Sequence, residues 1–576
     1  MTARRATRRL RSVTAALRGL LAAAAAMGVA ELAAGALGRV SSSPLLAVGA
    51  GFIDLTPVWL KDFAIRRFGS DDKTVLLIGL GAGIVVAALG IGVLGRRRLA
   101  WGLIGLAVFG TVGVVAALTR PVAEPVDAVP STVGALAGMA ALTLLTPGAR
   151  LFPKPTPESR DAAPATATPA GGNATEAEVR GWTDGPGRRP DTTGPEPATA
   201  PEPAMEPEQD SEAERVPTPG VEMGRRRVLL TGAGVLGVAV VSGVSGRVLL
   251  RRGDVSSVRA DVRLPRPADP APAVPAGAQV RVPGMTPFRT SNADFYRVDT
   301  ALVLPQVDPR DWTLRIHGML AHPVELTFDD LLRQPLIERD ITLSCVSNQV
   351  GGVLAGNARW LGVPLAPLLR RAGVRPGADQ ILSRSSDGMT LSTPLESVLD
   401  GRDALLAVGM NGEPLPVAHG FPARMVVPGL YGYVSATKWV VDLKVTRFAA
   451  DQAYWTRRGY AERAPVKTFS RIDVPKPFAR LTAGPITVAG TAWAQHRGID
   501  AVEWQVDDGP WRPARLAPVP GIDTWRQWVA EWDALPGSHT LRVRATDKTG
   551  TTQPEHRSPP VPDGATGWHS VVVTVT

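Results

Sequence analysis

The chain has 576 residues, of which 44% are hydrophobic and 5% are aromatic, and its formal net charge is +10. At roughly 100–200 residues per domain, this length predicts three or four units. Much of the basic excess is arginine that flanks apolar runs, which is typical of membrane orientation signals. Nucleic-acid binding would need a basic face interleaved with aromatic residues. No such face stands out, so nucleic acid is excluded as a partner.

Cys345 is the only cysteine, and this rules out an intrachain disulfide. A lone cysteine is most often a small, buried, apolar side chain. Any functional role for Cys345 must therefore be argued from the residues around it.

Five apolar segments in the first 252 residues are candidate membrane spans, because about 20 apolar residues cross the hydrocarbon layer. They are Val13–Leu37, Thr74–Leu94, Leu99–Leu118, Val129–Leu145 and Val228–Leu250. Four of them lie within residues 1–150, which are therefore interpreted as a transmembrane helical region of about four spans. The fourth segment is the shortest of the five. No histidine precedes His317. We therefore expect no haem in the membrane part, because membrane haem is usually held by paired histidines.

Arginine clusters indicate how the spans are oriented. Arg4-Arg5 precedes the first span, Arg96-Arg97-Arg98 follows the second, and Arg225-Arg226-Arg227 precedes the fifth. Positive residues favour the cytoplasmic side. With the N-terminus inside and five spans, the C-terminal half is predicted to lie outside the cytoplasm, at the cell membrane of a multi-pass protein.

Residues 151–227 are interpreted as a disordered linker, because the segment is rich in Pro, Ala and Glu and has almost no apolar periodicity. The next segment, residues 228–252, has two interpretations. Arg225-Arg226-Arg227 before an apolar run resembles a twin-arginine export signal. An ordinary fifth transmembrane helix with positive flanks explains it equally well.

From about residue 280 the pattern changes to short strands and a few helices, which predicts a mixed α+β domain over residues 280–450. Trp312–Gly318 alternates as a strand, and Thr327 is a plausible N-cap for a short helix. Ile341–Cys345 is β-branched and runs into a Gly-containing loop. Leu365–Ala372 is an apolar helix ended by Gly373. Cys345 thus lies where a strand meets a loop, a common position for functional groups.

Protein-only metal sites are disfavoured, because zinc needs three or four ligands at recognisable spacing and the seven histidines are scattered. A cysteine protease would pair Cys345 with a base such as His419. However, His419, Arg424 and Lys438 alternate with Gly and Pro turns. That pattern suits a buried anion such as a cofactor phosphate.

The last unit, residues 466–576, contains short alternating runs separated by Asp508-Gly509, Pro536-Gly537 and Thr549-Gly550. Strands at this rhythm with glycine turns predict a β-sandwich. We expect its core to contain three tryptophans, namely Trp504, Trp525 and Trp528.

Several motifs together resemble the sulfite oxidase family of molybdopterin enzymes over roughly residues 285–576. The motifs are Phe295-Tyr296-Arg297, the strand and loop around Cys345 up to Asn348, Asn411-Gly412, His419–Arg424, Pro428–Gly432, Lys438-Trp439, Tyr454–Tyr460 and Trp568-His569. The resemblance implies a molybdopterin-binding, sulfite oxidase-like domain followed by an immunoglobulin-like β-sandwich that supports dimerisation in some members. With the transmembrane anchor, the chain is thus predicted to be multi-domain.

The resemblance also implies a cofactor, molybdenum-molybdopterin (Mo-MPT), and a role for each matching residue. Cys345 falls at the metal-binding cysteine, and a soft thiolate suits molybdenum. Tyr460 falls beside the oxygen on the metal. Arg297 is expected to reach toward the metal, which makes Cys345, Arg297 and Tyr460 the catalytic candidates. The cofactor-binding candidates are Phe295, Tyr296, Arg297, Asp299, Asp387, His419, Arg424, Thr437 and Lys438.

Two departures from the family's pattern put sulfite in doubt. Sulfite oxidases have an Asn-Arg-Arg run after their cysteine, whereas here Asn348 is followed by Gln349-Val350. They also carry an arginine shortly before the Trp-His pair, where this chain has Pro559–Gly564. A sulfite dianion needs several cationic donors once it leaves water.

The sequence therefore predicts a molybdopterin-dependent oxidoreductase that performs two-electron oxygen-atom transfer on a small-molecule substrate that is not clearly sulfite. A separate electron carrier, membrane lipid and a second copy of the chain are the other expected partners. The alternative is a non-catalytic, membrane-tethered binding module on the same scaffold. Cys345 and the phosphate-site residues argue against that alternative.

Overall fold

The computed structural model describes residues 2–68, 72–146, 220–251 and 254–576. Of the predicted linker, residues 151–227, the part up to residue 219 lies outside the described residues. The twin-arginine segment is described, and it lies within a helix that already begins at Gly220.

Seven helices make up the described N-terminal part. They are α1 (Thr2–Ala36), α2 (Pro44–Leu55), α3 (Val58–Phe68), α4 (Asp72–Arg97), α5 (Leu99–Leu118), α6 (Val129–Leu145) and α7 (Gly220–Arg251). Five helical segments are long and apolar enough to cross a membrane, and they coincide with the five predicted spans. The fourth is lengthened to 21 residues, Pro125–Leu145, by a 3-10 turn before α6. The short helices α2 and α3 were not predicted.

Small residues let the long helices approach closely, as is common between membrane helices. A Cβ atom on Gly19 of α1 would lie 2.2 Å from the carbonyl oxygen of Ala88 in α4, and one on Gly28 would lie 2.4 Å from that of Ala239 in α7. Arg96 at the end of α4 donates to the Ser12 hydroxyl near the start of α1. Helices α1 and α4 therefore run antiparallel, and Arg96–Arg98 lie at the same end of the bundle as the start of α1.

The middle part of the chain combines two sheets with five short helices. The helices are α8 (Ser256–Asp261), α9 (Phe328–Leu332), α10 (Leu365–Ala372), α11 (Leu395–Leu399) and α12 (Gly432–Ser435). The strands are β1 (Thr313–Gly318), β2 (Val324–Thr327), β3 (Ile337–Ser344), β4 (Ala355–Pro364), β5 (Gln380–Ser385), β6 (Thr390–Pro394), β7 (Leu405–Met410), β8 (Glu413–Pro414), β9 (Arg424–Val426) and β10 (Val440–Thr446). One sheet has the order β2-β1-β10-β5-β6 and the other β3-β4-β7-β8, with β9 also pairing with β7.

Local predictions in this part agree with the structure. Thr327 caps α9, because its side chain accepts from the backbone N–H of Asp330. Helix α10 spans the predicted Leu365–Ala372 and ends at Gly373, whose φ of 71° favours glycine. Strand β3 ends one residue before Cys345.

The C-terminal part folds as two further sheets. Its strands are β11 (Phe469–Val474), β12 (Arg480–Leu481), β13 (Gly484–Trp493), β14 (Ile499–Val506), β15 (Arg512–Pro513), β16 (Arg515–Leu516), β17 (Arg526–Ala534), β18 (Gly537–Asp547) and β19 (His569–Val575). The sheet orders are β11-β13-β17-β16 and β12-β19-β18-β14-β15. Apolar residues of both sheets share one core. That this part is immunoglobulin-like remains a prediction.

One predicted core residue belongs elsewhere. Trp504 and Trp528 lie in the core that the two C-terminal sheets share, but Trp525 is buried in the core of the middle part. The Trp525 indole donates to the carbonyl of Phe288 at 2.7 Å, and its backbone N–H donates to the Thr342 hydroxyl at 2.7 Å. Trp525 therefore joins the two parts, because it directly precedes β17 and points back across the junction.

Candidate active site

A cavity of about 370 Å³ brings most of the predicted site residues together. Those that line it are Phe295, Tyr296, Asp299, Cys345, Asp387, Arg424, Thr437, Lys438 and Tyr460. Only Arg297 and His419 of the predicted set do not. The residues come from separate strand ends and loops, so the fold, and not sequence proximity, creates the site.

Cys345 occupies the first position after β3. Its backbone N–H donates to the carbonyl of Leu354 at 2.9 Å, which closes the loop between them. The Asn348 side chain accepts from the N–H of Leu354 at 2.8 Å, and Arg471 of β11 donates to the carbonyl of Gly352 at 2.7 Å. A Cβ on Gly351 would lie 2.3 Å from the His569 ring. The C-terminal sheets thus hold the loop that presents the thiol.

Aromatic rings hold Tyr460 beside the cavity. Its ring centroid lies 5.4 Å from that of Tyr433 and 5.1 Å from that of Trp455. Its N–H donates to the carbonyl of Trp455 at 3.2 Å. The neighbouring Ala461 N–H donates to the carbonyl of Pro562 at 3.0 Å. The Pro559–Gly564 stretch therefore abuts the Tyr460 loop.

Arg424 and Lys438 form a buried cationic pair. The Arg424 guanidinium contacts backbone carbonyls, including that of His419 at 3.0 Å, and within the described ranges it forms no ion pair. Burial lowers the pKa of Arg424 to about 10. Burial also lowers the pKa of Lys438 to about 8, although Asp299 opposes this shift. Buried cations with too little negative charge nearby are stabilised by a bound anion.

Within the part of the chain that the structure describes, Asp299 is the one carboxylate that forms ion pairs with this cluster. It accepts from Lys438 at 2.8 Å and from Arg297 at 2.9 Å, and it also pairs with Lys73 of α4. Burial would raise its pKa, but Lys438 and Lys73 outweigh that effect and the net shift is strongly downward. Asp299 is therefore ionised and links the N-terminal helix α4 to the cavity.

Arg297 and His419 are placed differently from the expectation. The guanidinium of Arg297 pairs with Asp299 and lies outside the cavity lining, so this structure does not direct it toward Cys345. The His419 ring packs edge-on against Phe295, and its Nε2 lies 3.1 Å from the carbonyl oxygen of Asn292. Burial, aided by Arg424 and Lys438, lowers the pKa of His419 to about 4, so it is neutral at pH 7.

Two further predicted positions are also resolved. Asp387 sits in a turn closed by the hydrogen bond from Gly388 to the carbonyl of Ser385, and it also lines the cavity. Contact of Asp387 with the pterin stays a prediction. Val350, the second residue after Asn348, packs against the core of the middle part and does not line the cavity.

Residues 301–455 match a protein-family model that is described as the oxidoreductase molybdopterin binding domain. An uncharacterized oxidoreductase of Bacillus subtilis, YuiH, is 35% identical over 156 residues, which are 27% of this chain and 75% of the relative. Mitochondrial sulfite oxidase of Drosophila melanogaster is 30% identical over 324 residues, 46% of this chain and 56% of the relative. The chain belongs to the sulfite oxidase family of molybdopterin oxidoreductases.

Other relatives in this family carry different names. Nitrate reductase of Solanum lycopersicum is 27% identical over 44% of this chain and 35% of its own length. Among solved structures, the sulfane dehydrogenase SoxCD of Paracoccus pantotrophus is 26% identical, with a TM-score of 0.43 over 50% of this chain and 84% of that chain. The chain thus spans little more than half of the mitochondrial sulfite oxidase that it matches, and less of the nitrate reductase.

The residues present fit the Mo-MPT cofactor that sulfite oxidase family membership implies. Arg424 and Lys438 provide buried positive charge for a phosphate. The Ser385 hydroxyl lines the cavity and finds no hydrogen-bond partner among the residues described, so it is available to a ligand. The thiol of Cys345 faces the same space.

The N-terminal helices contribute lining residues that the sequence did not reveal. An apolar wall, defined as Phe52, Ile53, Leu60, Phe68, Val75 and Leu76, closes one side of the cavity, and Lys61 and Lys73 lie beside it. The amphipathic segment Val58–Phe68 was the available signal, since its Lys and Arg residues do not suit a span. Its contact with residues almost 400 positions away could not be read from the sequence.

Proposed function

We propose that this chain is a membrane-anchored molybdopterin oxidoreductase that transfers an oxygen atom in a two-electron reaction on a small substrate other than sulfite. The observation that carries the proposal is the convergence of Cys345, Tyr460 and the buried pair Arg424 and Lys438 on one cavity. Molybdenum analysis of the purified chain, with the Cys345→Ser variant as control, tests it.

Each residue has a role that follows from its surroundings. The Cys345 thiolate is the protein ligand to the metal. Arg424 and Lys438 hold the pterin phosphate through charge-assisted hydrogen bonds, while Asp299 keeps Lys438 in position. Tyr460 orients the substrate or holds a proton beside the metal. When bound, Mo-MPT supplies the two-electron redox chemistry.

A non-catalytic binding module is the alternative function. Its weakness is the buried cationic pair, since Arg424 and Lys438 lower the stability of a fold that has no anion to bind there. A receptor that binds its ligand at the surface would also not need a buried cysteine in the wall of an internal cavity, as Cys345 is here.

We also propose that the catalytic part lies outside the cytoplasm. Lys73 at the start of α4 pairs with Asp299, whereas Arg96–Arg98 follow at the other end of the same helix. The two ends are about 36 Å apart at 1.5 Å per residue, enough to span a hydrocarbon layer. Because arginine clusters favour the cytoplasmic side, the cavity belongs on the opposite side.

Protease accessibility tests this orientation. With an epitope at the C-terminus and another in the 151–222 segment, protease added to spheroplasts is expected to remove the first and spare the second. Protection of both epitopes would place the catalytic part inside and would mean that one span has been miscounted.

Sulfite is expected to be a poor substrate. The family's two additional arginine positions correspond to Val350 and the Pro559–Gly564 stretch, which offer no guanidinium. Each missing charge-assisted hydrogen bond is worth about 1.5–3 kcal/mol. Two losses weaken binding of a dianion by about two to four powers of ten.

A substrate panel tests this expectation on the cofactor-loaded protein. Steady-state turnover of sulfite with dye acceptors is compared with turnover of sulfoxides and N-oxides with dye donors. We expect the less charged compounds to be used at lower concentrations than sulfite. A micromolar Michaelis constant with fast turnover for sulfite would contradict the substrate proposal, while the molybdenum proposal would stand.

The remaining partners are proposals of the same kind. A separate electron carrier must exchange the two electrons, since residues 1–316 contain no histidine to hold a membrane haem. Homodimerisation through the C-terminal sheets is the arrangement that family membership favours. Lipid surrounds the five long apolar helices in the proposed membrane location.

A further inference from the structure

We propose that an isoprenoid quinone from the bilayer enters between the apolar wall and the cofactor and is the direct electron partner of this enzyme. The inference rests on the proposed function, and it names the electron carrier of the same site.

The wall connects the cavity to the membrane. Val75 and Leu76 of the wall lie in the apolar helix segment Lys73–Arg97. Phe52 and Phe68 also line the cavity, and they are 50% and 37% exposed. Phe52 and Phe68 lie outside the five candidate spans, and large apolar side chains grouped outside a span usually mark a ligand or partner site. A lipophilic molecule that leaves the bilayer therefore meets an apolar wall in the same cavity that Cys345 lines.

A series of hydrogen-bonded polar side chains lies beside the wall, and it suits the polar head group of a quinone better than the apolar tail of a lipid. Lys61 lines the cavity, and its Nζ donates to the Tyr454 hydroxyl at 3.3 Å. That hydroxyl donates to the carboxylate of Asp54 at 2.8 Å, and the Asp54 side chain is 49% exposed. Lys61 can thus donate to a quinone carbonyl and recover its proton from solvent through Tyr454 and Asp54. Burial and nearby Arg458 lower the pKa of Lys61, which eases the transfer.

The sequence offers no relay that would replace such a partner. Residues 1–316 contain no histidine, and Cys345 is the only cysteine. Haem and iron–sulfur clusters are held mainly by those two residue types. A partner that reaches the cavity itself needs no such relay.

The electron and proton balance is complete with a quinone. A substrate and water yield the oxygenated product, two protons and two electrons, and the quinone takes up both pairs to become a quinol. In the reverse direction the quinol returns them, and the oxygenated substrate releases its oxygen as water. In both directions Lys61, Tyr454 and Asp54 carry protons at the quinone oxygens.

The test uses the full chain in lipid nanodiscs, with a short-tailed benzoquinone as probe. Turnover is measured with the quinone and with a water-soluble dye, and the quinone-to-dye ratio is compared between variants. Leu60→Gln places an amide in the wall and is expected to lower the ratio about threefold to tenfold, because Leu60 is half-buried and loses about half the apolar transfer energy of a fully buried leucine. The matched control is Leu55→Gln, since Leu55 is 87% exposed and lies outside the cavity lining.

Photolabelling gives a readout that does not depend on turnover. An azido derivative of the same quinone is expected to label the segment 52–76, and Leu60→Gln is expected to reduce the label. Equal ratios in Leu60→Gln and Leu55→Gln, or label outside the cavity, would overturn the quinone site. Loss of turnover of a lipophilic substrate in Leu60→Gln with an unchanged quinone-to-dye ratio would assign the wall to substrate. Failure of dye-linked turnover in the wild type would instead refute the proposed function, and the labelling would still decide the quinone site.

Discussion

Replacing Cys345 with serine is expected to leave a folded protein whose turnover falls by more than about a hundredfold. Mutation of residues that only hydrogen-bond to a metal ligand already costs about 10–100-fold in metal affinity or activity. Cys345 is the proposed ligand itself, so its loss is expected to cost more. Serine is nearly isosteric, but its oxygen is a harder ligand than a thiolate and suits molybdenum less well. Dye-linked turnover per mole of protein is the measurement.

Folding of the Cys345→Ser variant is the necessary control. The surrounding loop is held by backbone and side-chain bonds from Leu354, Asn348 and Arg471, and none of them uses the thiol. We therefore expect an unfolding temperature close to that of the wild-type protein prepared without cofactor. Wild-type turnover in the serine variant would refute the assignment of Cys345.

Replacing Arg424 with methionine is expected to release the pterin while the chain still folds. Its guanidinium is buried beside Lys438, where it contacts backbone carbonyls and the Trp360 ring and forms no ion pair among the described residues. Each charge-assisted hydrogen bond to a phosphate is worth about 1.5–3 kcal/mol, so the loss of one lowers cofactor affinity about 10–100-fold. The measurement is pterin content per chain after gel filtration, read by fluorescence of the extracted pterin.

The matched control for this prediction is Arg384→Met. Arg384 lies on β5, its side chain is 45% exposed, and it does not line the cavity. We expect Arg384→Met to retain pterin at the wild-type level. Equal retention in Arg424→Met and Arg384→Met would remove Arg424 from the phosphate site.

Local patterns predicted much of the fold because they report local physics. The Thr327 cap, helix α10 and the strand before Cys345 depend on hydrogen bonds between near neighbours, and each was found where the sequence placed it. The five long apolar segments were predicted for the same reason, since length and hydropathy are properties of one continuous segment.

Long-range pairing explains what the sequence did not reveal. Lys73 meets Asp299, and Asp54 meets Tyr454, across more than 200 residues of sequence. Helices α2 and α3 are too short to be predicted as spans. The sequence therefore did not predict that these helices form one wall of the cavity. Arg297 was expected at the metal, but Asp299 two residues away offers a nearer partner for its guanidinium.

Metal and pterin content of the purified full-length chain tests the central claim most directly. The protein is produced in a host with an intact molybdenum cofactor pathway and compared with Cys345→Ser made in the same way. The account predicts near-stoichiometric molybdenum and pterin in the wild type, and little or no catalytically competent metal in the variant. Wild-type protein that is folded but holds no more molybdenum or pterin than background would contradict it and would favour the binding-module alternative.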